Sequence, residues 1–118
     1  MKSILAGTAL LLALSGAAVA ETWNVVEGRD GDTRGVWQVT MSGSSIQGSA
    51  DMLMPKGRRL KYHVSGEIRD GKFVMHRIAP NERTDCVYVA PETRALSFAG
   101  SVICDGTSNP WRVVRKPN

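Results

Sequence analysis

The sequence predicts an all-β protein: about eight antiparallel strands in an up-and-down meander that closes into a small barrel with one disulfide. Three observations carry this. Past the first twenty residues the apolar residues recur with period two, as on a half-buried strand, with no run at helical spacing. Glycines punctuate the chain at intervals of eight to ten residues, the rhythm of short strands and tight turns. The only cysteines, Cys86 and Cys104, both follow residue 20. So many short strands in one small domain shed their exposed edges most simply by closing on themselves; an open sandwich is the alternative.

Residues 1–20 read as a signal peptide that is removed. They carry one charge (Lys2), an apolar run from Ile4 to Leu14, and an Ala-x-Ala site at Ala18–Ala20. Glu21–Asn118 is then one small domain, and the formal charge falls from +4 to +3 because Lys2 leaves. A chain of this size has one modest core and no room for a cofactor domain beside a substrate domain. No cysteine stands at the cleavage site for lipid attachment, and no later stretch is apolar enough to cross a membrane as a helix. The expected location is secreted or periplasmic. In such a compartment an even cysteine pair makes a disulfide, and the Cys86–Cys104 spacing is not that of a C-x-x-C redox motif.

Each strand has a local justification. Trp23–Glu27 is the first. Gly43-Ser44 fits a two-residue hairpin turn that pairs Met41 with Ile46, Val39 with Gly48 and Trp37 with Ala50. That face is apolar and continues through Met52 and Met54, while Gln38, Thr40, Gln47, Ser49 and Asp51 take the other. Asp70-Gly71 turns a second hairpin, pairing Ile68 with Phe73, Gly66 with Met75 and Val64 with Arg77, with Leu60 and Tyr62 extending the apolar row. The disulfide sets a third register: Cys86 opposite Cys104, Tyr88 opposite Val102, Ala90 opposite Gly100 and Glu92 opposite Phe98. Trp111–Lys116 is the last strand. The expected loops are 28–33, 55–59, 80–84 and 105–110.

Gly35-Val36-Trp37 opens an early strand, and Arg112 and Arg115 lie on the last. This resembles the calycin arrangement of lipocalins and avidins. The resemblance implies an eight-stranded barrel, often with a ligand cavity, in which Trp37 packs beneath a basic residue from the chain end, here Arg115. It is a resemblance of fold, and it transfers no ligand set.

The chemistry-bearing residues point away from catalysis. His63 and His76 fall diagonally on an outer face with Glu67 nearby and no third metal ligand. No serine sits in a Gly-x-Ser-x-Gly elbow. The acids lie mostly in turns or on outer faces rather than across a cleft. Gly28–Thr33 lacks the twelfth-position ligand of a calcium loop. No metal, cofactor or catalytic set is expected.

Binding is the remaining class, in two modes. Lys56, Arg58, Arg59 and Lys61 crowd one hairpin tip, and Arg112 and Arg115 the last strand; such clusters meet a protein or an anionic envelope component. Nucleic acid is not expected, because aromatic interleaving is missing. Alternatively, the interior carries a small apolar or anionic ligand lined by Trp37, Tyr62, Met75 and Arg77. The first mode is favoured, since packing three tryptophans and four methionines inward leaves little volume. A structural or stress role in the envelope is a third expectation.

Overall fold

The computed structural model describes residues 17–79 and 84–118. Most of the expected signal peptide and of the 80–84 loop lies outside the described residues.

Eight strands form a closed barrel in sequence order: β1 (Val19–Glu27), β2 (Thr33–Ser42), β3 (Ser45–Leu53), β4 (Arg59–Arg69), β5 (Lys72–Ile78), β6 (Cys86–Pro91), β7 (Ser97–Cys104) and β8 (Thr107–Pro117). Every neighbour is antiparallel, and β8 closes on β1 from Glu21–Pro117 to Glu27–Trp111. The open sandwich is therefore excluded.

Two of the hairpins have the expected register. Met41 pairs with Ile46 and Trp37 with Ala50 across the Gly43-Ser44 turn. Ile68 pairs with Phe73 and Val64 with Arg77 across Asp70-Gly71. Alternation then sends Trp37, Val39, Ile46, Met52, Val64, Phe73 and Met75 to the interior, all but unexposed. A one-residue slip would turn every one of them outward, so burial and turn chemistry enforce the same pairing.

Cys86 and Cys104 form the disulfide and lie directly opposite one another. The link closes a span of 18 residues, which in the chain-entropy model stabilises the fold by about 3 kcal/mol. Urea unfolding of the Cys86→Ala/Cys104→Ala double variant should show that loss. A difference under about 1 kcal/mol would overturn the entropic account.

Three boundaries differ from the sequence reading. First, the β6–β7 ladder ends at Val89–Ser101: Ala90 still lies against Gly100, where an added Cβ would come within 2.6 Å of the Ala90 Cβ, but the pairing does not continue to Glu92–Phe98. Pro91 has no N–H to donate. β6 instead stays on β5 through Phe73–Ala90 and Lys72–Pro91, and the Glu92 N–H donates to the Gly71 carbonyl. Second, residues 105–110 are not a loop. Asp105 and Gly106 have φ of 48° and 85°, a two-residue turn of the same kind as Asp70-Gly71, and β8 starts at Thr107. Pro110 sits within β8, and its carbonyl accepts from the Gly28 N–H. Third, β1 begins at Val19 rather than Trp23. Its buried positions start at Glu21, however, so a cut after Ala20 leaves them all in place.

Candidate functional site

The barrel has two ends. The β1–β2, β3–β4 and β7–β8 connections and the disulfide mark the upper end. The β2–β3, β4–β5 and β6–β7 connections mark the lower.

Aromatic rings fill the space between them. All seven pack in one cluster: Trp23 stacks on Trp37 at 6.2 Å, Trp37 meets Tyr88 edge-on at 4.9 Å, and Trp111 bridges Trp37, Tyr88 and Phe98. Phe73 and Phe98 complete the cluster against Trp23. Such rings fill an eight-stranded interior, which is only wide enough for side chains or one small ligand. Among the described residues, Trp111 Nε1 is the buried side-chain polar atom left without a hydrogen-bond partner.

At the lower end the inward parity of β1 puts a carboxylate inside. Glu21 is only 4% exposed. Arg115 on β8 grips it with both arms, Nε to Oε1 at 2.9 Å and Nη2 to Oε2 at 2.8 Å. The Trp23 indole N–H donates to the same Oε1 at 2.7 Å. The Arg115 hydrogen bond holds the Glu21 carboxyl below its ordinary value, against the opposing effect of burial. Arg115 thus packs with Glu21 and Trp23 of the first strand. The pairing of Arg115 with Trp37 that the calycin resemblance implied is corrected: the Trp37 N–H points the other way, to Tyr62.

At the upper end Trp37 Nε1 donates to the Tyr62 hydroxyl at 3.1 Å, and the Tyr88 hydroxyl donates to the same oxygen at 3.2 Å. Tyr62 in turn donates to Glu27 Oε1 at 3.2 Å. The Arg77 guanidinium lies 4.5 Å from the centre of the Tyr62 ring, a cation–π distance. Burial, then the charge of neighbours that include Glu27, pushes both phenols above their ordinary value, so both remain hydroxyl donors. An open basin of about 490 Å³ lies at this mouth, lined among others by Glu27, Met54, Pro55, Val102 and Asn109.

Of the four interior residues singled out from sequence, the structure brings Trp37, Tyr62 and Arg77 together. Met75 lies opposite Gly66 and Tyr88, fully buried beneath them. Tyr88 and Glu27 complete the group. Glu27 was legible, because it shares the inward parity of Trp23 and Val25.

Of the six cations, Lys56, Arg58, Arg59 and Lys61 cluster at the β3–β4 connection, where Pro55–Gly57 makes one 3-10 turn and Lys56 adopts φ 67°. Arg59 pairs with Asp51 at 2.9 Å, both well exposed. Arg112 joins the upper end, pairing across the strands with Val26. Arg115 does not join: three residues from Arg112, it has the opposite face by period two and belongs to the lower core. Arg34 was missed. It sits outward on β2 and donates to the Gly31 carbonyl at 3.0 Å. His63 and His76 lie exposed on adjacent strands, and no group of three metal-ligating side chains occurs among the described residues.

No family model matches the chain, and no curated protein matches it significantly. Among solved structures it is similar to a redesigned β-barrel, mFAP1, bound to DFHBI. The TM-score is 0.65 at 14% identity, over 88% of this chain and 96% of that one. At this identity the likeness is one of fold: a small closed antiparallel barrel.

Proposed function

We propose that this chain is an exported, non-enzymatic binding protein that meets a protein or anionic partner with the outer wall and loops of its upper end. One observation carries the reading: seven aromatic rings occupy the barrel interior, which leaves recognition to the outside. Apart from the Trp111 indole N–H, the polar groups described within are engaged with one another, Tyr62 between Trp37, Tyr88 and Glu27, and Glu21 between Arg115 and Trp23. Cations, by contrast, gather at the β3–β4 tip with their charge in solvent.

The test is capture of a partner from the native exported fraction, with the wild type and with Lys56, Arg58 and Arg59 all changed to glutamate. The wild type should retain a partner that the charge-reversed protein loses. Equal retention by both would overturn the reading.

A second reading places a small ligand in the basin at the upper mouth. The basin is supported by its Glu27 carboxylate and apolar Met54 and Val102, and by the fact that a similar barrel, mFAP1, is described as bound to DFHBI. Native mass spectrometry of protein purified from its own host separates the two readings: a small-molecule adduct supports the basin, and a clean apo mass supports the outer wall.

A further inference from the structure

Sequential pairing of β1 to β4, with β8 added by barrel closure, assembles a surface row that spans five strands. Arg112 on β8 lies opposite Val26 on β1, Val26 opposite Arg34 on β2, Arg34 opposite Leu53 on β3, and Leu53 opposite Arg59 on β4. All five share the outward parity. Strands are spaced about 4.8 Å apart, so an arginine backbone recurs at about 10 Å with an aliphatic residue between each pair. The three arginines are exposed, Leu53 is 43% exposed, and Val114 beneath Arg112 is 49% exposed. The Arg34 and Arg112 guanidiniums both approach Gly31 in the loop above.

Charge is concentrated on this side. The wall and its two loops carry seven cations (Arg29, Arg34, Lys56, Arg58, Arg59, Lys61, Arg112) against three acids (Asp30, Asp32, Asp51). The rest of the sequence from Glu21 onward carries seven against eight. The excess positive charge therefore belongs to this half of the barrel.

The chemistry of the row selects its partner. All seven aromatic side chains are committed to the core. The wall consequently lacks the tyrosine and tryptophan anchors that dominate protein interfaces, and the stacking platforms that hold single-stranded nucleic acid. It offers planar guanidiniums, which bind phosphate oxygens two at a time, interleaved with aliphatic groups. A bilayer interface presents that same combination of phosphates beside an apolar boundary.

We infer that this wall docks on an anionic phospholipid surface. Arg112 and Arg34, whose guanidiniums converge on Gly31, meet headgroup phosphates, and Leu53 beside Arg34 faces the boundary between headgroup and acyl chain. The inference rests on the reading that the outer wall is the working surface, and it names the partner class.

Co-sedimentation of the exported protein with phosphatidylglycerol vesicles and, separately, phosphatidylcholine vesicles tests it. Retention is expected on the first only and should fall as added salt shortens the screening length. Each arginine near an anionic surface contributes about 1 kcal/mol, so Arg34→Gln/Arg112→Gln should bind roughly 30-fold more weakly with its melting temperature unchanged. Leu53→Asn should weaken retention without altering its salt dependence, and excess soluble glycerophosphate should not displace the wild type. Equal retention on both vesicle types, or undiminished retention of the double arginine variant, would overturn the inference. So would retention on heparin without retention on phosphatidylglycerol. If vesicles fail while the exported fraction still yields a partner sensitive to the Lys56, Arg58 and Arg59 reversal, the bilayer falls and the binding reading stands. If both fail, both fall.

Discussion

Replacing Arg115 with methionine is expected to destabilise the barrel by about 3–5 kcal/mol. The methionine fills most of the volume of the arginine stem, so what is lost is the guanidinium, with its pair to Glu21 and its hydrogen bond to the Thr93 carbonyl. Glu21 is left with a buried carboxylate and the Trp23 indole N–H as its remaining side-chain donor. Total stability of a domain this size is on the order of 5–15 kcal/mol, so the variant approaches the limit of folding. Removing both charges, as Glu21→Met/Arg115→Met, should recover much of the deficit, because paired buried charges offset their desolvation only when both are present.

The pH dependence of the two proteins should have opposite sign. In the wild type the Glu21 carboxyl is held below its ordinary value, first by the Arg115 hydrogen bond. A depressed folded pKa contributes stability that is fully present above the unfolded value of 4.5 and is lost as pH falls through the folded one. Without Arg115, burial raises the Glu21 pKa, and acid then relieves the strain by protonating the carboxylate. The stability gap between wild type and Arg115→Met should narrow as pH drops below neutrality toward 4, measured by urea unfolding. A gap that is independent of pH, or smaller than about 1 kcal/mol at pH 7, would refute the role assigned to the pair.

Gly66→Ala is expected to cost about 3 kcal/mol or more. Gly66 lies opposite Met75 on the β4–β5 hairpin. A Cβ there would sit 2.0 Å from the Val74 carbonyl oxygen and 2.6 Å from Met75 Cα. Both are backbone atoms, so neither can swing aside as a side-chain end does. β4 must move away from β5, and the ladder that seats Val64, Phe73 and Met75 in the core moves with it. Gly43→Ala is the control. It has open space but a φ of 60°, and should cost only the left-handed penalty of about 1–2 kcal/mol. In a domain this small each kcal/mol lowers the melting temperature by roughly 4–8 °C, so thermal melts separate the two. Equal shifts for both variants would show that close backbone approach is not what requires glycine at residue 66.

Much of the fold was legible because its determinants are local. Gly43-Ser44 and Asp70-Gly71 each join two strands whose apolar residues face one way in a single register. Cys86 and Cys104 confirmed a third pairing for its first residues. Legibility failed where a local signal was ambiguous. Residues 105–110 read as a loop, although Asp105-Gly106 has the same turn chemistry as Asp70-Gly71. Pro91 ended a ladder that alternation alone would have continued. The site was less legible than the fold. Parity could place Glu21, Glu27 and Arg77 inward, but it could not say that Glu21 would meet Arg115, 94 residues away, or that Arg77 would rest on Tyr62.

By itself, the sequence determined which residues face in and which face out, how adjacent strands are joined, and which cysteines pair. These follow from a period of two and from tight turns, which act within a few residues. Only the tertiary structure decided closure, and with it every neighbour across the β1–β8 seam. Register there is set by the twist and stagger of the whole sheet rather than by any turn. For that reason Arg112 joins the row of Val26, Arg34, Leu53 and Arg59 only when the barrel shuts.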